Sequence, residues 1–563
     1  MSDEQFYLLF EQYLEEHLRQ HPVYASQLGD HRYDDQIEDL SIEARQNRTA
    51  LQRQTLARLT GEINHDELSR SAQIDLEVFC HHLEEQIWLA EHIPGFEEDP
   101  RSYNHYLSGS IYGLLTQSSL PHEENISNVI ARIRQLPEVV ATARRTLTSP
   151  PLPVLETSIN QNRGVIGFYE KEIYELVGDS PQYAELKKAA DDLLVELHAY
   201  QEFLETDLRA RARSDWRMGK ETFDRKLQFA VNGDITADEV LTRAEGEFHR
   251  VTGEMYVTAR QLWGKYYPGA PLPPDDVAGR HETITRVLDA VGREHGEPGN
   301  LLADARATVD RLKDFITKND ILRLPDPDRC ELMEMPEFHR GNSLAYILPA
   351  PPLDPENRTI YAISPTPADW DADRVESFLQ EYNRYMLQIL TIHEAYPGHY
   401  VQLAYHNRES SPVRRLLLSG VFIEGWAVYT EQMMLDQGYG EGDPALRLTQ
   451  LKFYLRAVAN AILDHRMHCG RMSDDEALDF LMNQSFQSEG EARLKIIRSK
   501  QSTVQLSTYF VGRMALYDLR REIQREQGTN FDLGRFHEAV IAHGSLPVKY
   551  LGELVRERLG SPR

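Results

Sequence analysis

The sequence predicts a mainly α-helical protein with one small β-sheet, and three observations predict it. Apolar positions recur at intervals of three and four over most of the 563 residues, which is the period of an amphipathic helix. Proline and glycine gather in a few stretches, SPPLP at 149–153, YYPGAPLPPDD at 266–276 and PAPPLDP at 349–355, and these punctuate the helical runs. Strand-like segments are few and adjacent. The length exceeds what one core usually supports. Two tightly packed helical lobes are therefore expected, an N-terminal one over 1–215 and a second over 216–563 that holds the sheet and the chemistry-bearing motifs.

In chain order, helical periodicity runs over 4–20, 121–147, 181–212, 236–264 and 282–318. CELMEM at 330–335, LAYILP at 344–349 and TIYAISP at 359–365 alternate or are β-branched and predict the sheet. The strand at 344–349 or that at 359–363 is expected to pair with an extended peptide. One long helix is predicted from Asp373, where DRVE reads as a capping box with Glu376, through an apolar stripe of Val375, Phe378, Leu379, Tyr382, Met386, Ile389 and Leu390 to His393. A second helix spans 416–437 and stops at Gly438, a third runs from 448 to 469, SDDE at 473–476 is a further capping box, and a fourth covers 504–526.

Composition narrows the function. Hydrophobic residues make up 41% and charged residues 27%, ordinary globular usage. Against 61 Lys and Arg stand 89 Asp and Glu, a formal charge of −28 that repels nucleic acid and anionic membranes. The three cysteines, Cys80, Cys330 and Cys469, form no CxxC and suggest neither a disulfide framework nor a thiolate zinc site. No apolar run is long enough to span a bilayer, and MSDEQFYLLFEQYLEEHLRQHP lacks the basic and apolar regions of a signal peptide. A cytoplasmic location is expected. There is no GxSxG and no GxxxxGK[ST], and GYGEGD at 438–443 does not fit GxGxxG.

TIHEAYPGHY, Thr391 to Tyr400, brings two histidines and a glutamate together as the HExxH zinc helix does, but His393 and His399 are six residues apart instead of four. On a regular helix that spacing turns about 240° and cannot serve one ion. Pro397 and Gly398 lie between them, and a break there re-phases the chain so that both imidazoles reach one side. Glu424, 25 residues after His399, is the candidate third ligand, and Gly425 beside it permits close helix packing. Glu394 is then left as general base. On spacing alone, a metal site and a polar helix end both remain open.

HEAYPGHY followed by EGWAVYTEQM resembles the HEAxPGH and EGWALY motifs of the DUF885 family of bacterial proteins, which are related in fold to the gluzincin metallopeptidases. YASQLGDHRYDD near the start, GKETFDRKL near 219, LAYILPAPPLDP near 344, LRAVANAILDHRMH near 455 and VQLSTYFVGRMALYDLR near 504 follow the family's order, so the resemblance covers essentially the whole chain. It implies a two-lobed helical zincin-like fold with a central cleft, similar to angiotensin-converting enzyme, thimet oligopeptidase and the thermostable carboxypeptidases. It further implies one zinc ion per chain on His393, His399 and Glu424, with Glu394 as base and Tyr509 stabilising the oxyanion.

Two departures from the family pattern matter. Phe510 stands where many members have lysine, which removes a cation for a substrate carboxylate and leaves Arg456, Arg498 and Arg513 as substitutes or as plain ion pairs. DHRMH at 464–468 replaces the usual DTGIH. His468, four residues after Asp464, is taken as a further catalytic candidate oriented by that carboxylate. Glu431 is read as a hydrogen-bond partner for a ligand imidazole or a buried structural carboxylate, His406 as a surface histidine, and Trp426 and Tyr429 as packing aromatics. The expected function is a zinc-dependent hydrolase of amide bonds in short peptides. The alternatives are a hydrolase of a non-peptide amide, a metal-binding protein without catalysis, and an interaction protein with an incidental motif. The expected partner is a short peptide or small amide, with no nucleic acid and no membrane, and a homodimer is left open.

Overall fold

The computed structural model describes residues 3–335, 345–366 and 370–560. The chain forms two compact units, one of Met1–Arg217 with Pro351–Asn357, the other of Met218–Ala350 with Arg358–Arg563.

In the first unit α1 (Asp3–Gln20) buries Phe6, Leu9, Phe10, Tyr13 and Leu18, its apolar stripe. The periodic run at 121–147 is two helices, α2 (His122–Ile133) and α3 (Leu136–Thr146), because the chain turns at Arg134–Gln135 and Pro137 falls in the first turn of α3, where a missing N–H costs nothing. Ile126, Val129, Ile130, Ile133 and Val140 meet Leu193, Leu197 and Tyr200 of α4 (Tyr183–Phe203) in one continuous core.

The second unit carries the motifs. Its longest helix, α5 (Ala237–Tyr266), opens with a capping box between Thr236 and Glu239. The sheet forms where expected: β1 (Cys330–Glu334), β2 (Ala345–Leu348) and β3 (Thr359–Ile363), in the order β1-β3-β2. β1 runs parallel to β3 with Cys330 opposite Thr359, and β2 runs antiparallel with Ala345 opposite Ile363. β3 is the buried centre, so both of its edges are already hydrogen-bonded and it cannot receive a peptide strand as the sequence suggested. Only an outer strand has an edge to offer. The sheet also steadies the motif, since the Tyr361 hydroxyl lies 3.1 Å from Thr391 Oγ1.

The single long helix expected from Asp373 is two. α6 (Ala372–Glu381) is capped by Asp371, which accepts from Arg374 N–H, and α7 (Arg384–Glu394) starts afresh after Asn383. Asn383 Oδ1 accepts from the N–H groups of Tyr385 at 3.0 Å and Met386 at 3.1 Å. Such a side chain satisfies orphan donors and so favours a helix start over a helix interior. Glu376 forms no box; it takes bonds from His295 and Gln380. The second predicted helix forms as α9 (Gly420–Asp436), starting four residues later than expected because Ser419 caps it, after α8 (His399–His406) and a short turn at Pro412–Leu416. α10 (Pro444–His468), α11 (Glu489–Gln501) and α12 (Gln505–Gln527) complete the elements around the motif.

Candidate metal centre

The turn between α7 and α8 settles the spacing of the two histidines. The N–H groups of Ala395 and Tyr396 both bond Thr391 O, at 3.0 and 3.1 Å, which closes α7. The chain then doubles back so tightly that a Cβ on Gly398 would lie 1.8 Å from His393 O and 2.3 Å from Ile392 O. Only glycine fits there. Trp426 Nε1 donates to Pro397 O at 2.9 Å, tying the turn to α9, and the Tyr396 and Tyr400 hydroxyls donate to Asp328 at 2.9 and 2.7 Å. His399 opens α8 with its ring centroid 4.8 Å from that of His393, the planes at 87°.

Glu424 projects from α9 into the same space. Its Oε2 lies 3.6 Å from His399 Nε2 and 3.9 Å from His393 Nε2, and one donor atom from each of the three residues falls within 4.8 Å of the others. Ligand atoms about 2.1 Å from one ion at tetrahedral angles lie about 3.4 Å apart, close to these separations. On the far side of the first imidazole, His393 Nδ1 is 2.7 Å from Oε1 of the buried Glu431. With the proton on Nδ1, the Nε2 lone pair points at the other donors, the arrangement in which a carboxylate fixes a metal-binding tautomer.

The donor set passes a test of fit. Glu424 Oε2, the oxygen aimed at both imidazoles, is buried and has no hydrogen-bond partner, a costly state for a carboxylate oxygen unless a cation meets it. Burial, with Glu424 and Glu431 adding to it and His393 opposing, raises the carboxyl of Glu394 to about 7. Burial also lifts Glu424 and Glu431, and it drives His399 well below the usual imidazole range. Against the pull of burial, Glu431 with Glu394 and Glu424 holds His393 up to about 9, so a cation binding at its Nε2 displaces a proton; two imidazoles among crowded carboxylates are the chemistry of a divalent-cation site.

Tyr509 joins this centre from α12. Its hydroxyl lies beside the Glu424 carboxylate and accepts from Arg498 Nη2 at 3.2 Å and Gln505 Nε2 at 3.4 Å. Two glycines make that approach possible. A Cβ on Gly425 would lie 2.4 Å from the Gly512 carbonyl carbon, and one on Gly512 would lie 1.9 Å from Val421 O, so α9 and α12 cross backbone against backbone. Gly425 was legible as a close-packing residue. Gly512 was not singled out, and neither was Gln505, although one helical turn before Tyr509 is where a side-chain partner belongs. Phe453, whose ring meets His393 edge-on at 5.9 Å, was also missed.

Other candidates lie elsewhere. His468 does not reach the donor set: its Nε2 is 2.7 Å from Ser499 O, its Nδ1 accepts from Met218 N–H at 3.4 Å, and its ring stacks on Phe223. Asp464 does not orient that ring; it accepts from Ser507 Oγ at 2.8 Å and Val504 N–H at 3.3 Å. His406 is buried, not at the surface, between Arg415 O and Ser545 N–H. Arg513 is matched to Tyr454, Gln432 and Glu247, and Arg456 to Glu491. Phe510 is 1% exposed and faces the core, so the missing lysine is not a gap in the centre. Trp426 and Tyr429 are buried packing aromatics, the latter with its hydroxyl 2.8 Å from His537 Nε2.

Asp464 has a consequence for stability. Burial, opposed by its hydrogen bonds from Ser507 and Val504, raises its carboxyl to about 7, against about 3.9 unfolded. The folded chain therefore holds a proton that the unfolded chain releases. The contribution is present below the unfolded value and is lost as pH rises from about 4 to about 7, at most about 4 kcal/mol. Denaturant titrations across that window should show the wild type losing stability relative to Asp464→Asn; parallel curves would refute the assignment.

A mainly helical protein with a largely buried His2Glu donor set is the class that fold and site define. The chain belongs to the family described as bacterial protein of unknown function (DUF885), which matches residues 22–555. A solved structure from Shewanella oneidensis, described as a candidate lipoprotein of unknown function, is 30% identical and superposes with a TM-score of 0.83 over 98% of this chain and 99% of that one. A second candidate lipoprotein, from Colwellia psychrerythraea, is 18% identical with a TM-score of 0.79 over 99% of each chain and shares the fold. No curated protein matches the chain. Among the described residues no helix is long and apolar enough to cross a membrane.

Proposed function

We propose that this protein is a gluzincin-like, zinc-dependent hydrolase of amide bonds in short peptides. The observation that carries the reading is the convergence of His393, His399 and Glu424 from three helices, with the unpartnered Glu424 Oε2 facing both Nε2 atoms and Glu394 next in sequence to the first ligand. Three protein donors leave a fourth position for water, as catalytic zinc sites do. A zinc ion held there supplies Lewis acidity to a water molecule and to the substrate carbonyl.

The chain's own groups do the rest. Glu394 takes a proton from the attacking water and returns it to the departing amine. The Tyr509 phenol, held up to about 12 chiefly by burial, stays protonated at neutral pH and donates to the developing oxyanion. Glu431 keeps His393 in the tautomer that presents Nε2. The three unbonded cysteines support a reducing, cytoplasmic setting as part of this reading.

The test is direct. Full-length protein is supplied with zinc, freed of excess ion and assayed for metal by plasma mass spectrometry, then incubated with a mixture of short peptides whose fragments are read by mass. About one zinc per chain with new amino termini supports the proposal; protein that holds zinc but releases no fragment points to a site without peptide hydrolysis.

A further inference from the structure

We propose that Arg498 receives the terminal carboxylate of a peptide substrate, so that this centre acts at the carboxyl end of short chains. The inference rests on the hydrolase reading for the bond that is cut, but the carboxylate site rests on Arg498 itself. On α11, Arg498 is exposed, and its Nη2 donates to two neutral acceptors, Gln505 Oε1 at 2.7 Å and the Tyr509 hydroxyl at 3.2 Å. No carboxylate pairs with it among the described residues, and Nε and Nη1 have no partner. Nη2 is engaged, and the Nη1 end of the guanidinium remains to donate to an anion through a charge-assisted bond.

Other cations around the centre are matched. Arg456 bonds Glu491 at 2.5 Å, Lys452 bonds Glu381 at 2.9 Å, and Arg513 is held by Tyr454 and Gln432 at 2.6 Å each. Lys495 is buried. In a chain with a formal charge of −28, an exposed guanidinium beside the donor set with no acidic partner among the described residues is a local feature that attracts an anion.

Position decides what kind of anion. A single phenol connects the guanidinium to the centre, because the Tyr509 hydroxyl that accepts from Arg498 also lies beside the Glu424 carboxylate. In an extended peptide the terminal carboxyl carbon and the preceding carbonyl carbon are one residue apart, at most about 3.6 Å. A carboxylate on Arg498 therefore sets a carbonyl one or two residues from the chain end against Glu394 and Tyr509. Release of a C-terminal residue or dipeptide follows, and internal bonds of long chains do not fit this register.

Calorimetric titration of zinc-loaded full-length Glu394→Gln protein with the tripeptide Ala-Ala-Ala and with its C-terminal carboxamide tests this without turnover. The free acid is expected to bind about tenfold more tightly or better than the amide, as a charge-assisted contact to the guanidinium requires. Adding Arg498→Gln should bring the ratio to about one while amide affinity holds, and Arg498→Lys, which keeps charge but loses the fork, should fall between. Equal affinities, no binding of either peptide, or a preference that survives Arg498→Gln would overturn the proposal. Wild-type turnover separates the two readings: cleavage of acid and amide at equal rates sinks the carboxylate site alone, whereas acid-selective binding without cleavage sinks hydrolysis and leaves that site standing.

Discussion

His399→Ala is expected to empty the centre of zinc: metal per chain falls from about one to below about a tenth, since a catalytic zinc has three protein ligands and two do not hold it against dialysis. The reason lies in how the donors are supported. His393 is backed by Glu431 at 2.7 Å, and Glu424 is presented by the glycine contact between α9 and α12, whereas His399 stands at the start of α8 with its Nδ1 buried and unpartnered. Removing it takes away a ligand without breaking a hydrogen bond of the fold. The variant should therefore fold as the wild type does. Zinc at about a hundred times its dissociation constant stabilises a protein that binds only when folded by about 2.7 kcal/mol, so added zinc should raise the melting temperature of the wild type and leave that of His399→Ala unchanged. Glu431→Gln supplies the graded comparison, because loss of a carboxylate behind a ligand imidazole weakens metal binding about 10- to 100-fold without abolishing it. Stoichiometric zinc on dialysed His399→Ala would show that the ligand set is drawn wrongly.

How much of this was legible follows from which signals are local. The helices, the small sheet, the SDDE capping box and the stop at Gly438, which sits at φ 97°, are written in periodicity and punctuation, and the sequence shows them. The break at Asn383 is local too, but a continuous apolar stripe on both sides masked it, and only the side-chain bonds to Tyr385 and Met386 reveal that a cap outweighs the stripe. At the centre, Pro397-Gly398 showed that the chain must break between the histidines. It could not show that Gly398 packs directly on the His393 carbonyl. Glu424 and Tyr509 are 85 positions apart, and their meeting depends on Gly425 against Gly512, a contact no window of sequence contains. His468 and His406 were misplaced for the complementary reason. A histidine near a helix end looks polar and available, yet both are held by partners far along the chain, Ser499 for one and Ser545 for the other.

Glu394→Gln is expected to keep zinc at about one per chain and to lower kcat for peptide cleavage by about 10²- to 10⁴-fold, the usual worth of a positioned general base. Glutamine keeps the shape of the side chain and its place at the end of α7, so neither the turn through Gly398 nor the bond from His393 to Glu431 is disturbed. What it loses is the ability to take a proton from water and return it to the leaving amine. The separation of readouts carries the argument: His399→Ala should lose metal and activity together, whereas Glu394→Gln should lose activity alone. Peptide affinity should survive in Glu394→Gln, because the groups that hold the substrate are elsewhere, and a fall in kcat without a matching rise in KM is the mark of an interaction made in the transition state. Full turnover by zinc-loaded Glu394→Gln would move the base to another residue. Loss of zinc in that variant would instead make Glu394 part of the ligand set, which the geometry of His393, His399 and Glu424 alone does not call for.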